Sequence, residues 1–332
     1  MNLQNRIDLF VDLGQYLRKN EPEWLSVKKE AAAKNPWFTE EFIDIATNNI
    51  IDKFLQKELL EKWAGHYHLD DNIPPKNVGI VMAGNIPMVG FHDFLSVFIS
   101  GHYQTIKLSG KDDILFTHII KKLYSFDTEV HHIVSIAENL KGCDAYIATG
   151  SNQSAIYFEQ YFSRYPHIIR RNRSSVAILT GNESMEDLEK LAEDIHLFFG
   201  LGCRNVTKIY VPHEYDFIPL LKSFHRFSYF RDHNKYSNNY DYQLSILLLN
   251  KKYYMTNEST LLVEQEGIFS PISLLHYEYY EKTGELLKKL QQNPDIQCII
   301  GGGQTAFGQA QEPGLFTYAD GIDTLQFLLS LS

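Results

Sequence analysis

The sequence predicts an α/β protein: two α/β domains with parallel sheets, preceded by an N-terminal helical segment. Three observations lead there. Between residues 76 and 179, short apolar runs alternate with helical patterns, as parallel sheets require. From about residue 183 to 300 the alternation starts again. Residues 1 to about 70 carry apolar residues only at helical spacing. The chain has 332 residues, 44% of them hydrophobic and 22% charged, enough for two separate cores.

The elements follow in order. Leu9-Phe10, Leu13 and Leu17, then Phe42-Ile43, Ile50-Ile51 and Phe54-Leu55, mark helices, with Trp24, Trp37 and Trp63 as anchors. Strands are predicted at Val78–Met82, Gln104–Leu108, His131–Ser135, Ala145–Thr149 and Ser175–Leu179. Helices are predicted at Val89–Ser100, Ile114–Tyr124 and Ser154–Phe162. In the second half a helical pattern running from Asp187 to Phe198 stops at Gly200, and an alternating run leaves Cys203 toward Val211. A helix at Tyr215–Phe224, strands at Leu244–Leu249 and Cys298–Ile300, and a terminal helix within Ile322–Leu331 complete the reading, with Tyr229–Tyr242 as a surface loop. The implied boundaries are 1–180, 181–300 and a docking tail at 301–332.

A formal net charge of −10 and the lack of a basic stripe argue against a nucleic-acid partner; Arg170-Arg171-Asn172-Arg173 reads as a solvated turn or an anion site. Cys143, Cys203 and Cys298 are scattered and odd in number, so neither a disulfide framework nor a metal site is expected, and a reducing cytoplasm fits. The most apolar stretch, Val78 to Gly101, is broken by Asn85, Pro87, His92 and Asp93, which a membrane span would not tolerate.

Ligands on parallel sheets bind at the carboxyl ends of strands. After the first strand comes Ala83-Gly84-Asn85-Ile86-Pro87, where the Asn85 carboxamide either donates to an oxyanion or makes an Asx turn. Lys107 ends the next strand, before Ser109-Gly110-Lys111-Asp112-Asp113. A lysine there either meets ribose hydroxyls or a phosphate, or snorkels to solvent. Gly150-Ser151 opens a helix, a place for a phosphate or for a plain N-cap. Cys203 lies on a glycine-flanked turn where a thiol is reachable and backbone N–H groups can meet an oxyanion; the alternative is a buried filler. Glu266-Gly267-Ile268-Phe269-Ser270-Pro271 reads as a turn before a strand. There is no G-x-G-x-x-G.

The order of these segments resembles the aldehyde dehydrogenase superfamily: strand-x-x-Asn85-x-Pro87, Lys107-x-Ser109, Thr149-Gly150-Ser151, Phe198-Phe199-x-x-Gly202…Cys203, then Phe269-x-Pro271. The short length, Ala83-Gly84-Asn85 and Tyr318-Ala319-Asp320-Gly321 resemble its acyl-CoA reductase branch, the LuxC-type fatty acid reductases. The resemblance implies an aldehyde-dehydrogenase-like fold, with a nicotinamide-cofactor-binding domain followed by a catalytic domain. Cys203 would be the nucleophile and Asn85 the oxyanion donor. Lys107 and Ser109 would hold the adenosine ribose and its phosphate, and Gly150 and Ser151 would sit at the pyrophosphate. Phe269 would lie at the nicotinamide end. Glu266 is one residue from the usual ribose-binding glutamate. Lys111 would favour NADPH, with NADH as the alternative.

Hydrolytic members carry a Glu-Leu-Gly-Gly where this chain reads Ile168 to Ser175, without an acid. An acyl thioester reductase is therefore expected, with coenzyme A leaving and an aldehyde as product. Hydrolytic aldehyde oxidation and a non-catalytic acyl-binding scaffold are the alternatives. The expected substrate is acyl-CoA or an acyl-carrier thioester. A homodimer follows by analogy, and a companion acyl-transfer subunit is left open.

Overall fold

The structure, a computed structural model, describes residues 1–331. The chain forms two compact units. One contains Met1–Asn172 and the segment from Pro313 onward; the other contains Arg173–Glu312.

The first unit opens with helices α1 (Leu3–Lys19), α2 (Pro22–Lys34), α3 (Glu40–Lys53) and α4 (Lys57–His66). Asn2 caps α1 through its side chain, and Phe10, Leu13 and Leu17 bury one face. The α/β part follows: β1 (Asn77–Val81), α5 (Phe91–Ser100), β2 (Tyr103–Lys107), α6 (Asp113–Phe126), the short α7 (Val130–Ile133), β3 (Val134–Ile136), β4 (Ala145–Thr149), α8 (Asn152–Phe162) and β5 (His167–Arg170). These strands make a five-stranded sheet in the order β3-β2-β1-β4-β5, with every pairing parallel. Helix α5 is buried almost all round, because it lies between the sheet and other helices; Phe10 of α1 meets Phe91, Phe94 and Phe98 edge-on.

The second unit comprises β6 (Ser174–Ile178), α9 (Met185–His196), β7 (Val206–Pro212), α10 (Phe217–Ser223), α11 (Asn234–Leu249), β8 (Met255–Thr256), β9 (Leu261–Glu264), β10 (Leu274–Tyr280), α12 (Thr283–Gln291) and β11 (Ile296–Gly301). Its sheet has six strands in the order β11-β6-β7-β10-β9-β8, parallel except for β8 against β9. The chain then returns to the first unit, where α13 (Thr324–Leu329) packs on α5.

The α/β class and the two sheets agree with the sequence reading, with one sheet mixed rather than parallel throughout. Four elements differ. Of the predicted strand His131–Ser135, His131–Ile133 belong to the short helix α7, and only Val134 and Ser135 fall in β3. Strand β6 follows the first alternation without a break, yet it pairs with β7 and β11. A short buried run does not encode which sheet it joins. Leu244–Leu249 ends helix α11 instead of forming a strand. Tyr236, Tyr240 and Leu247 face inward, while Leu248 and Leu249 are exposed. The segment read as a loop, Tyr229–Tyr242, is a 3₁₀ helix (Phe224–Asp232) followed by the start of α11. Its polar residues cover the outside of a helix whose inner face is tyrosine. Among the described residues no helix is long and apolar enough to cross a membrane.

Candidate active site

In the first unit the chain runs from β1 to β2 and β3 on one side, then crosses back to β4 and β5 on the other. The crevice beyond the carboxyl ends of β1 and β4 is therefore a topological switch point, where open α/β sheets take ligands. Asn85, Lys107, Ser109, Lys111, Gly150 and Ser151 all follow or end β1, β2 or β4, so one sheet edge gathers them.

The loop after β1 lies tightly on the loop after β2. A Cβ on Gly84 would stand 2.5 Å from Ser109 Oγ, so only glycine permits this approach. The buried Asp112 carboxylate accepts the Met88 N–H at 2.7 Å and holds Met88 in a left-handed conformation (φ 54°). Burial pushes the Asp112 carboxyl well above its ordinary value, and its Oδ1 has no hydrogen-bond partner. These contacts fix the turn that carries the half-buried Asn85.

Lys107 is exposed, as its place at the end of β2 allows, so it needs no buried partner. Lys111 is also exposed. Its N–H donates to Ser109 Oγ at 3.3 Å, and its carbonyl accepts from Asn35 Nδ2 at 3.2 Å. Neither neighbouring acid folds back over it: Asp112 is engaged with Met88, and Lys34 grips both oxygens of Asp113 at 2.7 Å. Ser151 caps α8, accepting the Ser154 N–H at 3.1 Å, and no acid lies in the first turn of that helix. A Cβ on Gly150 would come within 2.9 Å of the Phe158 ring. Arg170 departs from the solvated-turn reading: it is buried, ion-paired with Asp93, and donates to Thr324 Oγ1 at 2.8 Å. Arg171 alone of the pair is exposed.

The second unit presents Cys203 on a strained turn. Phe198 (φ 57°), Phe199 (φ 55°) and Gly200 (φ 73°) are three successive left-handed residues. For aromatic residues this is a real cost, tolerated only where the surroundings enforce it. Both rings are buried, and the Phe199 ring lies 4.6 Å from that of Phe230. The buried Asn205 ties the turn down. Its Oδ1 accepts the Gly202 N–H at 2.8 Å, and its Nδ2 reaches the carbonyls of Asp194, Ile195 and Leu197 at the end of α9. Cys203 is left half-buried at the entry to β7. All three cysteines are thiols; burial pushes the Cys143 and Cys298 thiols up.

Glu266 and Phe269 lie on the loop after β9, with exposed side chains. Its backbone is held from below: Lys208, fully buried, donates to the Glu266 carbonyl at 2.7 Å. Sequence reasoning singled out neither Asn205 nor Lys208. Lys208 did carry a signal, a cation in an alternating apolar strand, whereas Asn205 carried none. Among the described residues no group of three or more His, Cys, Asp or Glu side chains could hold a metal ion.

No protein-family model and no curated protein matches the chain in sequence. Solved structures match it in fold. An NAD-dependent aldehyde dehydrogenase from Sinorhizobium meliloti superposes with a TM-score of 0.66 at 10% identity, over 90% of this chain and 70% of its own. Aldehyde dehydrogenase 21 from Physcomitrella patens, in complex with the reaction product succinate, gives 0.66 at 10% identity over 91% and 74%. The NAD+ complex of an aldehyde dehydrogenase from Bacillus cereus gives 0.65 at 12% identity over 90% and 72%. With TM-scores of 0.65–0.66 over about nine-tenths of its length, the chain has the aldehyde dehydrogenase fold.

Proposed function

We propose that this protein is a nicotinamide-dependent acyl thioester reductase that works through an acyl-Cys203 intermediate. The observation that carries this reading is the Cys203 turn, with its three left-handed residues and its lashing by Asn205. Strain of that kind persists where a reactive group must be presented.

The first unit fits a dinucleotide. The Gly84 cradle against Ser109 would be filled by any side chain, Gly150 opens a helix without acids in its first turn, and Lys107 and Lys111 offer cations beside it. When bound, a nicotinamide cofactor supplies the hydride. The chain's own residues do the rest. The Cys203 thiol loses its proton and its sulfur attacks the thioester carbonyl. Asn85 donates to the resulting oxyanion. Collapse expels the coenzyme A thiolate, which takes up the proton, and leaves acyl-Cys203. After reduction at the acyl carbon, the thiohemiacetal on Cys203 breaks its C–S bond, giving an aldehyde and the regenerated thiol.

Direction follows from what stands between Arg170 and Ser175. Arg170 is neutralised by Asp93, and Ser174 and Ser175 are buried in β6. No carboxylate is present in this segment to activate water, a role worth about 10²–10⁴-fold. Coenzyme A, a thiol, needs less help as the acceptor in reverse. NADPH is the proposed cofactor, since Lys111 is exposed and Asp113 is committed to Lys34.

The test is turnover with acyl-CoA of graded chain length and NADPH, followed by trapping of the aldehyde. Mass spectrometry without reductant should find the acyl group on Cys203. Acylation of Cys143 or Cys298 instead would overturn the assignment. Rapid release of free acid from aldehyde and oxidised cofactor, without added CoA, would replace the reading with hydrolytic oxidation.

A further inference from the structure

The sheet of the second unit is irregular on both sides of one residue. The pairing of β11 with β6 shifts register between Ile296 and Ile299, and that of β6 with β7 shifts between Ser175 and Val176. Cys298 lies inside the first irregularity, on the edge strand of the sheet. A bulge bends its strand and re-aims a side chain. This one brings Cys298 to β6: its Sγ lies 2.9 Å from Ser175 Oγ. The same hydroxyl lies 3.1 Å from the carbonyl oxygen of Cys203. One small side chain therefore touches both cysteines, and all three residues belong to the same unit.

Burial pushes the Cys298 thiol up; the Ser175 hydroxyl and the Arg204 guanidinium oppose this, and Asp194 adds to it. A thiol held protonated is a poor first target for an oxidant. Arg204 still stands by to stabilise the thiolate once an oxidised sulfur is at hand. Cys298 also lines a groove of about 540 Å³ with Leu290, Asn293, Gln304 and Thr305, which gives a small thiol room to enter. The third thiol, Cys143, is buried in the other unit.

We infer that Cys203 and Cys298 form a reversible redox modification site: hydrogen peroxide oxidises Cys203, and Cys298 closes a disulfide onto it, with Ser175 as the spacer that parts the two thiols in the reduced chain. The Cys203 thiolate attacks peroxide. An S–O bond forms, the O–O bond breaks, and hydroxide departs and is protonated to water, leaving a sulfenic acid. The Cys298 sulfur then attacks that sulfur. The S–S bond forms, the S–O bond breaks, and the departing hydroxide takes the Cys298 proton to become a second water. Ser175 clears the gap by rotation about one bond. Two molecules of a small thiol, entering by the groove, restore both cysteines and leave as their own disulfide. Resting on the functional reading above, closure silences the nucleophile and shields it from irreversible oxidation.

Hydrogen peroxide added to the full-length chain, with neither substrate nor cofactor, tests this. Free thiols counted after denaturation should fall from three to one, and digestion without reductant should yield the Cys203 and Cys298 peptides joined. Dithiothreitol should return all three thiols. In Cys298→Ser, dimedone should trap the sulfenic acid on Cys203, and longer exposure should leave about tenfold more sulfinic acid there than in the parent. In Ser175→Ala, which lacks the spacer, closure should be about threefold faster; slower closure overturns the spacer role. Sulfinic acid on Cys203 of the parent beside a free Cys298 thiol, or a link to Cys143, overturns the pairing. A parent that forms the disulfide but turns over no acyl-CoA overturns the functional reading alone. One that turns over acyl-CoA and forms no disulfide overturns this inference alone.

Discussion

The hydroxyl of Ser175 on β6 donates to the carbonyl oxygen of Cys203 at 3.1 Å and lies 2.9 Å from the Cys298 sulfur. Its single proton is spent on the carbonyl, so the Cys298 thiol must be the donor in the second contact. That matches a thiol kept protonated by burial. Two cysteines thus share one serine in opposite ways: one has its backbone pinned, the other has its proton held. Ser175→Ala should lower stability by about 1 kcal/mol, measured by urea unfolding. Alkylation of Cys203 should change while Cys298 remains slow to react; equal labelling of both would show that the serine does not distinguish them.

Asn85 is held on its turn by the Asp112–Met88 bond and by the Gly84–Ser109 approach. Asn85→Ala should lower kcat by ~10²–10³ and change substrate binding little. Single-turnover kinetics should place the loss in acylation. A near-normal kcat would make Asn85 a turn residue only.

Cofactor choice should depend on Lys111. With Asp113 gripped by Lys34 and Asp112 buried, no carboxylate of this loop is placed to repel a 2′-phosphate. Lys111→Ala should reduce kcat/KM for NADPH by about tenfold and leave NADH nearly unchanged. A clear NADH preference, insensitive to this substitution, would rule the idea out.

Two groups on the last turns of α9 oppose each other in pH. Burial raises the Asp194 carboxyl to about 7, against the Gly308 and Ala310 N–H bonds it accepts. Its contribution is full below an ordinary carboxyl pKa and is lost as pH rises through about 7. Burial lowers the His196 imidazole to about 4, so its contribution is full above its ordinary 6.5 and is lost as pH falls through about 4. Between these limits one slope cancels much of the other, each amounting to roughly 3–4 kcal/mol. The parent should therefore show nearly flat stability from about pH 4.5 to 6.5 by urea denaturation. Asp194→Asn should expose a rise with pH, and His196→Phe a fall. Two variants with slopes of the same sign would refute the balance.

What was legible in the sequence was local. Strands β1, β2 and β4 and their glycine-bearing loops stood out because an apolar run followed by a turn is a short-range pattern, and Cys203 stood out because glycine flanks it. What was hidden depended on distant partners. Lys208 reaches Glu278 and Glu266, 70 and 58 residues away, so its burial could not be distinguished from a snorkelling side chain. Arg170 looked solvated because its partners, Asp93 and Thr324, are 77 and 154 residues away. Leu244–Leu249, in α11, fits either period because five of its six residues are apolar.

The return of the chain to its first unit has a consequence for how the protein is made. Helix α13 packs on α5, Thr324 completes the setting of the buried Arg170, and the Leu328 carbonyl meets His102 Nε2 at 2.9 Å. All of these partners leave the ribosome after the whole of the second unit has been synthesised. During translation the side of α5 that α13 covers stays open while Arg173–Glu312 emerges. The nascent first unit thus stays incomplete until the last residues emerge, and the second unit, though later in the chain, is the one able to finish first.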